Sequence, residues 1–526
     1  MKTRISLFLL LMVCCFAQAQ TVSVSGFQSG VWDADTVMVV GDVQVQDSLV
    51  VNAGTLVLFD GFYSIGVGSG AVFKAVGSET DSVVFTVADT TGFSVYNNGN
   101  GGWNGFQLQE ANKVLFDYCV LQYGKAADTL DRWGGVLYIS RCKDVEINHS
   151  TLRYNFSREF GGAVYANDSR VRFTDCCVKG NKVYTGDNIY AMYGGGACFL
   201  KCSVEMERME FRDNVGQTCI GGALSLDSCS LVLDRSIFVN NIGINGGGMY
   251  LMRSNHKECR MSNLLFDDNF SGHFGGGFAL ADVSPEIYNV LVINNQSEGV
   301  SCNGIFFYGN SSPMLTNCIV YGNYPPESGL VEDTTQMWVW TTDGFAPEFR
   351  NCLVEGGLRS IHSAEFINVF EDIIDTDPLF VDAANHDFRL TSNSPCLDMG
   401  SVDTPDYITE GLDLDGMPRC INNRIDLGPY ESQVASVLQH TMPPAFAKIL
   451  GNPLGEQSCI ELDADKEGTV SVRVYSLLGR CLGQKSIALE SSHIVEIGDL
   501  VKGLAPGVYL IKVSVNGKQC TLKTIK

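Results

Sequence analysis

Positive charge is scarce in this chain of 526 residues, in which 36 Lys and Arg residues face 59 Asp and Glu residues. The resulting net charge of −23 has the wrong sign for binding a phosphate backbone, so we expect no nucleic-acid partner. Charged residues make up only 18% of the chain and hydrophobic residues 45%, a balance that excludes global disorder. We therefore expect a folded protein with several ordinary domains or one long solenoid.

Diagnostic motifs of catalysis and metal binding are also missing. The sequence contains no nucleophile elbow, no phosphate-binding loop and no pair of metal ligands at a diagnostic spacing. Its seven histidines never form a close pair, so we expect no metal site and no cofactor. Calcium is the one ion left open, and no diagnostic motif supports it. Enzymatic activity stays an open question at this stage, and the sequence favours a non-catalytic protein.

The only long apolar run lies at the N-terminus. Lys2 and Arg4 precede an apolar stretch at residues 5–16, and residues 17–19 have the small-x-small pattern of a cleavage site. This order predicts that residues 1–19 are a secretory signal peptide. No later run approaches the roughly 20 apolar residues of a membrane-spanning helix, so we expect no transmembrane span.

Two short sequence marks recur along most of the chain, and residues 221–241 show both in their plainest form. A glycine pair opens this unit, apolar residues follow at every second position, and F-x-x-N closes it. The glycine mark falls at Gly105, Gly135, Gly162, Gly196, Gly222, Gly248, Gly277 and Gly304. The closing mark falls at Gly124 and then at Asn155, Asn181, Asn214, Asn241, Asn269, Asn295 and Asn323.

The shared period of the two marks predicts the fold class. Alternating apolar residues indicate strands, Gly and Asn indicate turns, and a period in the twenties to thirties indicates stacked repeats. We predict an all-β protein, a right-handed parallel β-helix (solenoid), with N-terminal coils and a cap at residues 20–104 and the repeat region at 105–357. The asparagines are expected to form a structural ladder at one corner, because Asn tolerates left-handed backbone and its amide can bond along a stack.

Two family resemblances support this fold. The paired marks at residues 221–223 and 238–241 resemble the repeats of chlamydial polymorphic outer-membrane proteins and related bacterial β-helix proteins. Short motifs in residues 358–431, among them DPLFVD at 377–382 and DLDGMPR at 413–419, resemble the closing segment called choice-of-anchor Q. That resemblance implies a cap over the open end of the solenoid, which a disulfide between Cys396 and Cys420 would staple.

The last residues form a separate unit in the sequence. Residues 432–450 are predicted to be a linker, and the short alternating strands of residues 451–526 predict a small C-terminal β-sandwich. Asn-Pro at 452–453, SLLGR at 476–480, GVY at 507–509 and a basic C-terminus resemble the type A sorting domain of the Bacteroidota type IX secretion system. The resemblance implies the type IX secretion machinery as a partner and a location at the outer-membrane surface or outside the cell.

Aromatic residues suggest where a ligand would bind. Trp103, Trp133 and Phe160 stand two residues before the first three glycine marks, and the longest connections between repeats lie beside them. Aromatic faces can stack on a sugar ring, while nearby carboxylates and guanidinium groups bind its hydroxyls. An aromatic ladder that only seals the corner is the alternative. The candidate ligand-binding residues are Trp103, Trp133, Arg158, Glu159, Tyr184, Asp187 and Tyr190.

Three functions are compatible with these observations. The leading hypothesis is an adhesin-like, non-catalytic protein of the cell surface or medium that binds glycan or another host or cell-surface ligand. The first alternative is a lyase or glycoside hydrolase for acidic polysaccharide, using Asp213 and Asp268 in the column before the corner asparagines. Those residues are also ordinary turn formers. The second alternative is a purely structural surface spacer.

Several cysteines are expected to meet on neighbouring coils. Cys202 should stack against Cys229, and Cys318 against Cys352, because each pair has the same place in the repeat. The two alternatives are a buried thiol ladder and disulfides.

Overall fold

A computed structural model shows two compact units, Met1–Ser436 and Val437–Lys526. In the first unit it describes residues 20–127, 133–184, 192–254, 258–298, 302–324 and 336–433. In the second it describes residues 447–450, 458–462, 468–476, 481–489, 494–505, 508–515 and 518–525. The predicted signal peptide and most of the predicted linker lie outside the described residues.

The described part of the first unit is built almost entirely of short strands. It also contains 3-10 turns at Gly357–Ser360, Ala364–Phe366 and Ala383–Asn385, and the short helix α1 (Asp406–Thr409). The strands are β1 (Thr21–Trp32), β2 (Thr36–Val51), β3 (Leu56–Phe59), β4 (Ile65–Val67), β5 (Val72–Val76), β6 (Val83–Val87), β7 (Phe106–Gln109), β8 (Lys113–Asp117), β9 (Cys119–Gln122), β10 (Lys125–Ala126), β11 (Leu137–Ser140), β12 (Val145–Asn148), β13 (Thr151–Arg153), β14 (Phe156–Ser157), β15 (Val164–Asn167), β16 (Arg170–Thr174), β17 (Cys177–Lys179), β18 (Lys182–Val183), β19 (Met192–Tyr193), β20 (Ala197–Leu200), β21 (Ser203–Glu207), β22 (Glu210–Arg212), β23 (Val215–Gly216), β24 (Cys219–Ile220), β25 (Leu224–Asp227), β26 (Ser230–Val239), β27 (Ile242–Asn245), β28 (Met249–Met252), β29 (Cys259–Asp267), β30 (Phe270–Phe274), β31 (Phe278–Ala281), β32 (Glu286–Tyr288), β33 (Leu291–Ile293), β34 (Gln296–Ser297), β35 (Ile305–Gly309), β36 (Met314–Thr316), β37 (Ile319–Tyr321), β38 (Met337–Thr341), β39 (Glu348–Arg350), β40 (Leu353–Val354), β41 (Ile361–His362), β42 (Val369–Glu371), β43 (Phe380–Asp382) and β44 (Asp387–Leu390).

Strands one coil apart pair in parallel, and this pairing builds the predicted parallel β-helix. Three strand faces run along it. Face A contains β7, β11, β15, β20, β25, β28, β31, β35 and β38. Face B contains β8, β12, β16, β21, the first halves of β26 and β29, β32, β36 and β39. Face C contains β9, β13, β17, β22, the second halves of β26 and β29, β33, β37 and β40.

A continuous apolar core fills the inside of the coils. Alternate residues of each strand point inward, so Leu137 lies in register with Val164, and Val171 with Val204. These four side chains are completely or almost completely buried, as are their equivalents along the stack. The burial of apolar area by neighbouring coils is what makes a stack stable when a single coil is not.

The glycine marks fall into two columns, and five of the marks taken from the sequence are one residue out of register. Strand pairing aligns Gly135, Gly162 and Gly222 with Gly195, Gly247 and Gly276, rather than with Gly105, Gly196, Gly248, Gly277 and Gly304. The glycine before each member of this column has a left-handed φ, as at Gly221 (+74°). The column glycine itself lies against the next coil, where a Cβ on Gly222 would lie 2.0 Å from the Gly247 carbonyl oxygen.

The corner asparagines form a hydrogen-bonded ladder inside the coils. The Oδ1 atom of Asn241 accepts the backbone N–H of Asn214 at 3.1 Å and its Nδ2–H at 2.9 Å. The Asn241 amide then donates to the Phe211 carbonyl and to Asn269. The same bonds recur from Asn155 to Asn323, with every member buried, so each amide satisfies backbone groups that the turn leaves open.

The segment predicted to close the end of the solenoid lies along its flank instead. Residues 358–371 add β41 and β42 to the stack, and residues 374–430 cover the outside of face C. Outward side chains of face C change from Arg153 and Lys179 on early coils to Leu265 and Ile293 on later ones. This apolar flank must be covered from water, and Phe388, Cys396 and Leu427 cover it. We call residues 374–430 the lateral cap.

Cysteine side chains pack at the corners as thiols. Sγ of Cys229 accepts the backbone N–H of Cys202 at 3.3 Å, and Sγ of Cys352 accepts that of Cys318 at the same distance. Serine hydroxyls fill this role on other coils, as Ser150 does for Cys119. Every cysteine whose state the structure describes is free, including Cys396 and Cys420, so the staple expected for the cap is not formed.

The C-terminal unit is antiparallel, in contrast to the solenoid. One sheet contains β45 (Ala447–Leu450), β46 (Cys459–Leu462) and β49 (Ile494–Glu496). The other contains β47 (Gly468–Ser476), β48 (Cys481–Leu489), β50 (Val508–Val515) and β51 (Lys518–Ile525), and the helix α2 (Gly498–Val501) lies between β49 and β50 in the chain. Side chains of both sheets, such as Ile460 and Val472, share one buried core, as expected for a small β-sandwich.

Candidate functional site

Trp103 does not face a ligand, contrary to the expectation from the sequence. Its side chain is completely buried and stacks on Phe59 with ring centroids 4.1 Å apart. The indole N–H donates to the carbonyl oxygen of Gln122 at 2.8 Å. Trp103 forms a β-bridge with Gly124 and not with Trp133. Its position two residues before Gly105 therefore does not place it in the same column as Trp133. It belongs to the core.

The true aromatic column contains Trp133, Phe160 and Tyr193, which are joined by bridges between neighbouring coils. The Trp133 ring also lies 6.2 Å from Tyr138 and 5.1 Å from Tyr165, two outward residues of face A. Trp133 is 36% exposed, and its indole N–H donates to Glu159 Oε2 at 2.8 Å. We call these five rings the aromatic platform, which offers one partly exposed indole face to solvent.

A pocket of about 300 Å³ lies at the corner after face C. The Tyr123 and Tyr154 rings are 6.2 Å apart and nearly parallel, and the Phe93 ring meets Tyr123 edge-on at 5.3 Å. Tyr96 stacks on Phe156 at 4.9 Å. We call this the aromatic pocket; its lining is Phe93, Ser94, Tyr96, Tyr123, Tyr154, Asn155, Phe156, Gly180 and Lys182.

Backbone geometry directs the two tyrosines into the aromatic pocket. Tyr123 and Tyr154 directly precede the corner residues and have left-handed φ values of 59° and 55°. One coil later, Gly180 has the same position. A Cβ on Gly180 would lie 2.9 Å from the Tyr154 ring, so only glycine lets that ring lie over the next coil. The aromatic pocket therefore exists where this column changes from tyrosine to glycine.

Lys125 fixes the loop that supplies the other wall of the aromatic pocket. Its side chain is completely buried and its Nζ donates to the carbonyl oxygens of Gly92 (3.2 Å) and Asn100 (2.8 Å). The ammonium group also lies 5.4 Å from the centroid of the Phe93 ring. Burial lowers the pKa of Lys125 to about 8, since water no longer stabilises the charge.

We expect Lys125→Met to loosen this loop while the coils stay intact. The substitution leaves two carbonyl oxygens without their donor, a cost of about 1–3 kcal/mol. Hydrogen exchange by mass spectrometry should show faster exchange in residues 92–100 and unchanged exchange in β11 and β15. Lys113→Met is the matched control, because Lys113 is only partly buried and its ammonium group pairs with the carboxylates of Asp144 and Glu146. Equal exchange in the two variants would contradict the anchoring role.

The other residues expected at the site fall into three groups. Arg158 and Glu159 lie in the short connection between Phe156 of the aromatic pocket and Phe160 of the aromatic platform, so they join the two features. Tyr184 is 44% exposed and stacks 4.5 Å from Tyr96 at the edge of the aromatic pocket. Asp187 and Tyr190 lie outside the described residues.

The pocket residues were missed because Phe93 and Tyr96 lie on a loop before the repeats. Tyr123 and Tyr154 carried a signal, since they stand directly before the closing marks Gly124 and Asn155. On later coils the same column holds Asp213, Asn240 and Asp268, which hides the two tyrosines among ordinary turn formers.

The column of Asp213 and Asp268 has the geometry of turn formers. These residues and the intervening Asn240 have φ values of 54° to 57°, a conformation that Asp and Asn tolerate well. Asp213 accepts a hydrogen bond from Asn240 at 2.7 Å. Burial raises the pKa of Asp268 and also that of the neighbouring Asp267. The geometry accounts for these residues without catalysis.

No group of three or more His, Cys, Asp and Glu side chains is arranged to hold a metal ion among the described residues. No helix in the described part of the chain is long and apolar enough to cross a membrane.

Residues 448–526 match the family model described as the secretion system C-terminal sorting domain. The matched region covers most of the antiparallel C-terminal unit. No curated protein matches the chain. The protein is therefore a β-helix that carries a C-terminal secretion sorting domain, and its destination is the cell surface or the extracellular space.

Proposed function

We propose that the exported β-helix binds a glycan at the aromatic pocket, with the neighbouring aromatic platform extending the binding surface. The observation that carries this proposal is the pocket itself, where aromatic faces from two coils and one loop enclose about 300 Å³. Ligand pockets combine apolar walls with a few polar groups, and the polar groups here are the tyrosine hydroxyls, Ser94 and Lys182. Surface or extracellular delivery brings the aromatic pocket into contact with glycans.

Sugar rings suit this arrangement for a physical reason. The apolar C–H face of a pyranose packs against an aromatic ring, and the hydroxyls around its edge bond to polar groups at the rim. Tyr154 is 42% exposed and has the Arg153 guanidinium 5.8 Å from its ring, so it offers both a face and nearby donors. The position of Arg158 and Glu159 between the aromatic pocket and the aromatic platform would let one oligosaccharide contact both.

Glycan-array screening of the mature protein, followed by calorimetry on the strongest ligand, tests the proposal. We expect Tyr154→Ala to weaken binding about tenfold, which corresponds to about 1.4 kcal/mol of lost stacking. Trp133→Ala should weaken the binding of long oligosaccharides more than the binding of short ones.

Tyr118→Ala provides the control, because Tyr118 is also a left-handed tyrosine before a turn but stacks on His149 away from the aromatic pocket. It should leave affinity unchanged. Equal affinity of the Tyr154→Ala variant and the wild type would remove the aromatic pocket from the binding site.

A further inference from the structure

A second cavity interrupts the charged outer surface of face B. Facing residues of successive strands place Glu146, Arg172 and Glu205 in one outward column, and Val232 and Arg260 continue it. The charges alternate until Val232, whose short side chain leaves a gap between Glu205 and Arg260. Two coil spacings separate these two residues, which is roughly 10 Å. A cavity of about 290 Å³ occupies the gap.

The lateral cap closes one side of this cavity. Tyr407, on helix α1, lines it and lies with its ring 4.5 Å from the Arg260 guanidinium. The Tyr407 hydroxyl lies 3.4 Å from the Glu286 carboxylate, and burial raises the pKa of Tyr407 to about 12, so the hydroxyl stays protonated. Neighbouring Ile408 is completely buried against Tyr288, which holds α1 in place.

Arg260 differs from the other arginines of face B in its partners. Arg172 pairs with Asp144 and Glu146, and Arg350 pairs with Glu371. In the described part of the chain, no ion pair joins Arg260 to a carboxylate; its guanidinium lies over the Tyr407 ring instead. A guanidinium at a cavity wall with free donors is suited to a planar anion.

The remaining polar groups of the cavity decide which anion fits. Glu205 and Glu207 line it, with Oε1 of Glu205 bonded to Arg170 and Oε1 of Glu207 bonded to Arg208 and Arg235. Asp234 also lines it, and its Oδ1 accepts from Ser262 (2.6 Å) and Asn263 (2.9 Å). Carboxylates in the lining of the cavity disfavour a doubly charged phosphate, but they accept hydrogen bonds from hydroxyls. A ligand with one carboxylate and several hydroxyls matches both the guanidinium group of Arg260 and the carboxylates of the lining.

We propose that this cavity, the Val232 gap, binds one uronic acid unit of an acidic polysaccharide, with its carboxylate on Arg260 and its hydroxyls on Glu205 and Glu207. The volume is at the small end for ligand sites, so it accommodates one sugar unit rather than a chain. The Val232 gap shares no lining residue with the aromatic pocket, so this proposal does not depend on the proposed function.

Calorimetry of the mature protein with a galacturonate trimer, its methyl ester and inorganic phosphate tests the proposal. We expect the trimer to bind and Arg260→Gln to weaken it at least tenfold, while the methyl ester and phosphate do not bind. Val232→Arg should abolish trimer binding without lowering the melting temperature, since arginine already stands in this column at Arg172 and Arg260. Arg350→Gln, on the same face but away from the cavity, should leave affinity within twofold.

Three results with the wild type and the Val232→Arg variant would overturn the Val232 gap as a uronate site. These are equal binding of the trimer and its methyl ester, preferential binding of phosphate, and retained trimer binding in Val232→Arg. A Tyr154→Ala variant that loses trimer binding would assign the trimer to the aromatic pocket instead, and would equally overturn the proposal.

Discussion

Gly222→Ala is expected to destabilise the β-helix by more than about 4 kcal/mol, an effect rarely reached by adding one methyl group. The added Cβ would lie 2.0 Å from the Gly247 oxygen and 2.5 Å from the Ile242 carbonyl carbon. Both are backbone atoms that cannot rotate away, so two coils must separate for the methyl group to fit. The hydrogen bonds between those coils would then lengthen or break. The fall in melting temperature should be about 10 °C or more.

Gly272→Ala is the control for this prediction. Gly272 lies on the same side of the solenoid, in strand β30, and has no left-handed φ. A Cβ added to Gly272 would lie 3.7 Å from the Ile244 Cα, which is among the atoms nearest to it. That distance is ordinary van der Waals contact, so this variant should melt within about 2 °C of the wild type. Differential scanning fluorimetry of both proteins checks the pair. Equal melting temperatures would mean that close coil packing at the glycine column does not limit stability.

Arg419→Met is the second substitution with a large expected effect, of about 3–5 kcal/mol on the lateral cap. Arg419 is completely buried, and its Nη2 donates to the carbonyl oxygens of Asp426 and Gly428. Its charge faces the buried carboxylates of Asp413, Asp426 and Glu431. Methionine fills similar space but leaves those acids buried without a cation.

The stability of the Arg419→Met variant should also depend more strongly on pH than that of the wild type. Burial raises the pKa of Glu431 to about 8, and removing the arginine charge raises it further. Between the unfolded value near 4.5 and the raised folded value, the folded cap binds more protons than the unfolded chain. The stability of the variant cap should therefore increase as the pH falls from 8 to 5.

Limited proteolysis of residues 374–430 across this pH range measures the effect. Arg424→Met is the matched control, because Arg424 lies in the same cap but is exposed and forms a single ion pair with Asp398. It should change the cleavage rate less than threefold and show no added pH dependence. Cleavage at the wild-type rate in Arg419→Met would show that the buried cation does not hold the cap together.

The fold was predictable from the sequence because two independent marks share one period. The asparagine mark also indicates the register of its corner, since each corner Asn from Asn155 to Asn323 stands three residues after an apolar residue, which is Phe in three of the coils. The glycine mark did not, because runs of three glycines at residues 194–196, 246–248 and 275–277 hide which glycine packs on the next coil. Strand pairing, which depends on the whole coil, decides that point. The one-residue error moved Tyr193 out of the aromatic column and brought Trp103 into it.

The candidate sites were only partly predictable. Trp133 and Tyr184 were identified from their loops, but the aromatic pocket depends on Phe93 and Tyr96, which the stack brings beside Tyr154 from about two coils earlier in the chain. The Val232 gap also needs the structure, because the lateral cap supplies Tyr407 from 147 positions beyond Arg260 (407 − 260). No local sequence pattern predicts the contact between Tyr407 and Arg260, because it depends on where the lateral cap lies.

The lateral position of the cap illustrates the same limit. Its motifs are visible in the sequence, and so is the change on face C from Lys179 to Leu265 and Ile293. An apolar outward column on a solenoid indicates a cover, and the segment that follows the last coil is the nearest candidate. Face B and the lateral cap then meet at Tyr407, where the Val232 gap forms.

A crystal structure of the mature protein with the strongest oligosaccharide from the glycan array would test glycan binding most directly. We predict a sugar ring in the aromatic pocket, stacked on Tyr154 or Tyr96 and within hydrogen-bond distance of Lys182 or Ser94. Density for the oligosaccharide on another surface, with the aromatic pocket filled only by water, would contradict the proposed function.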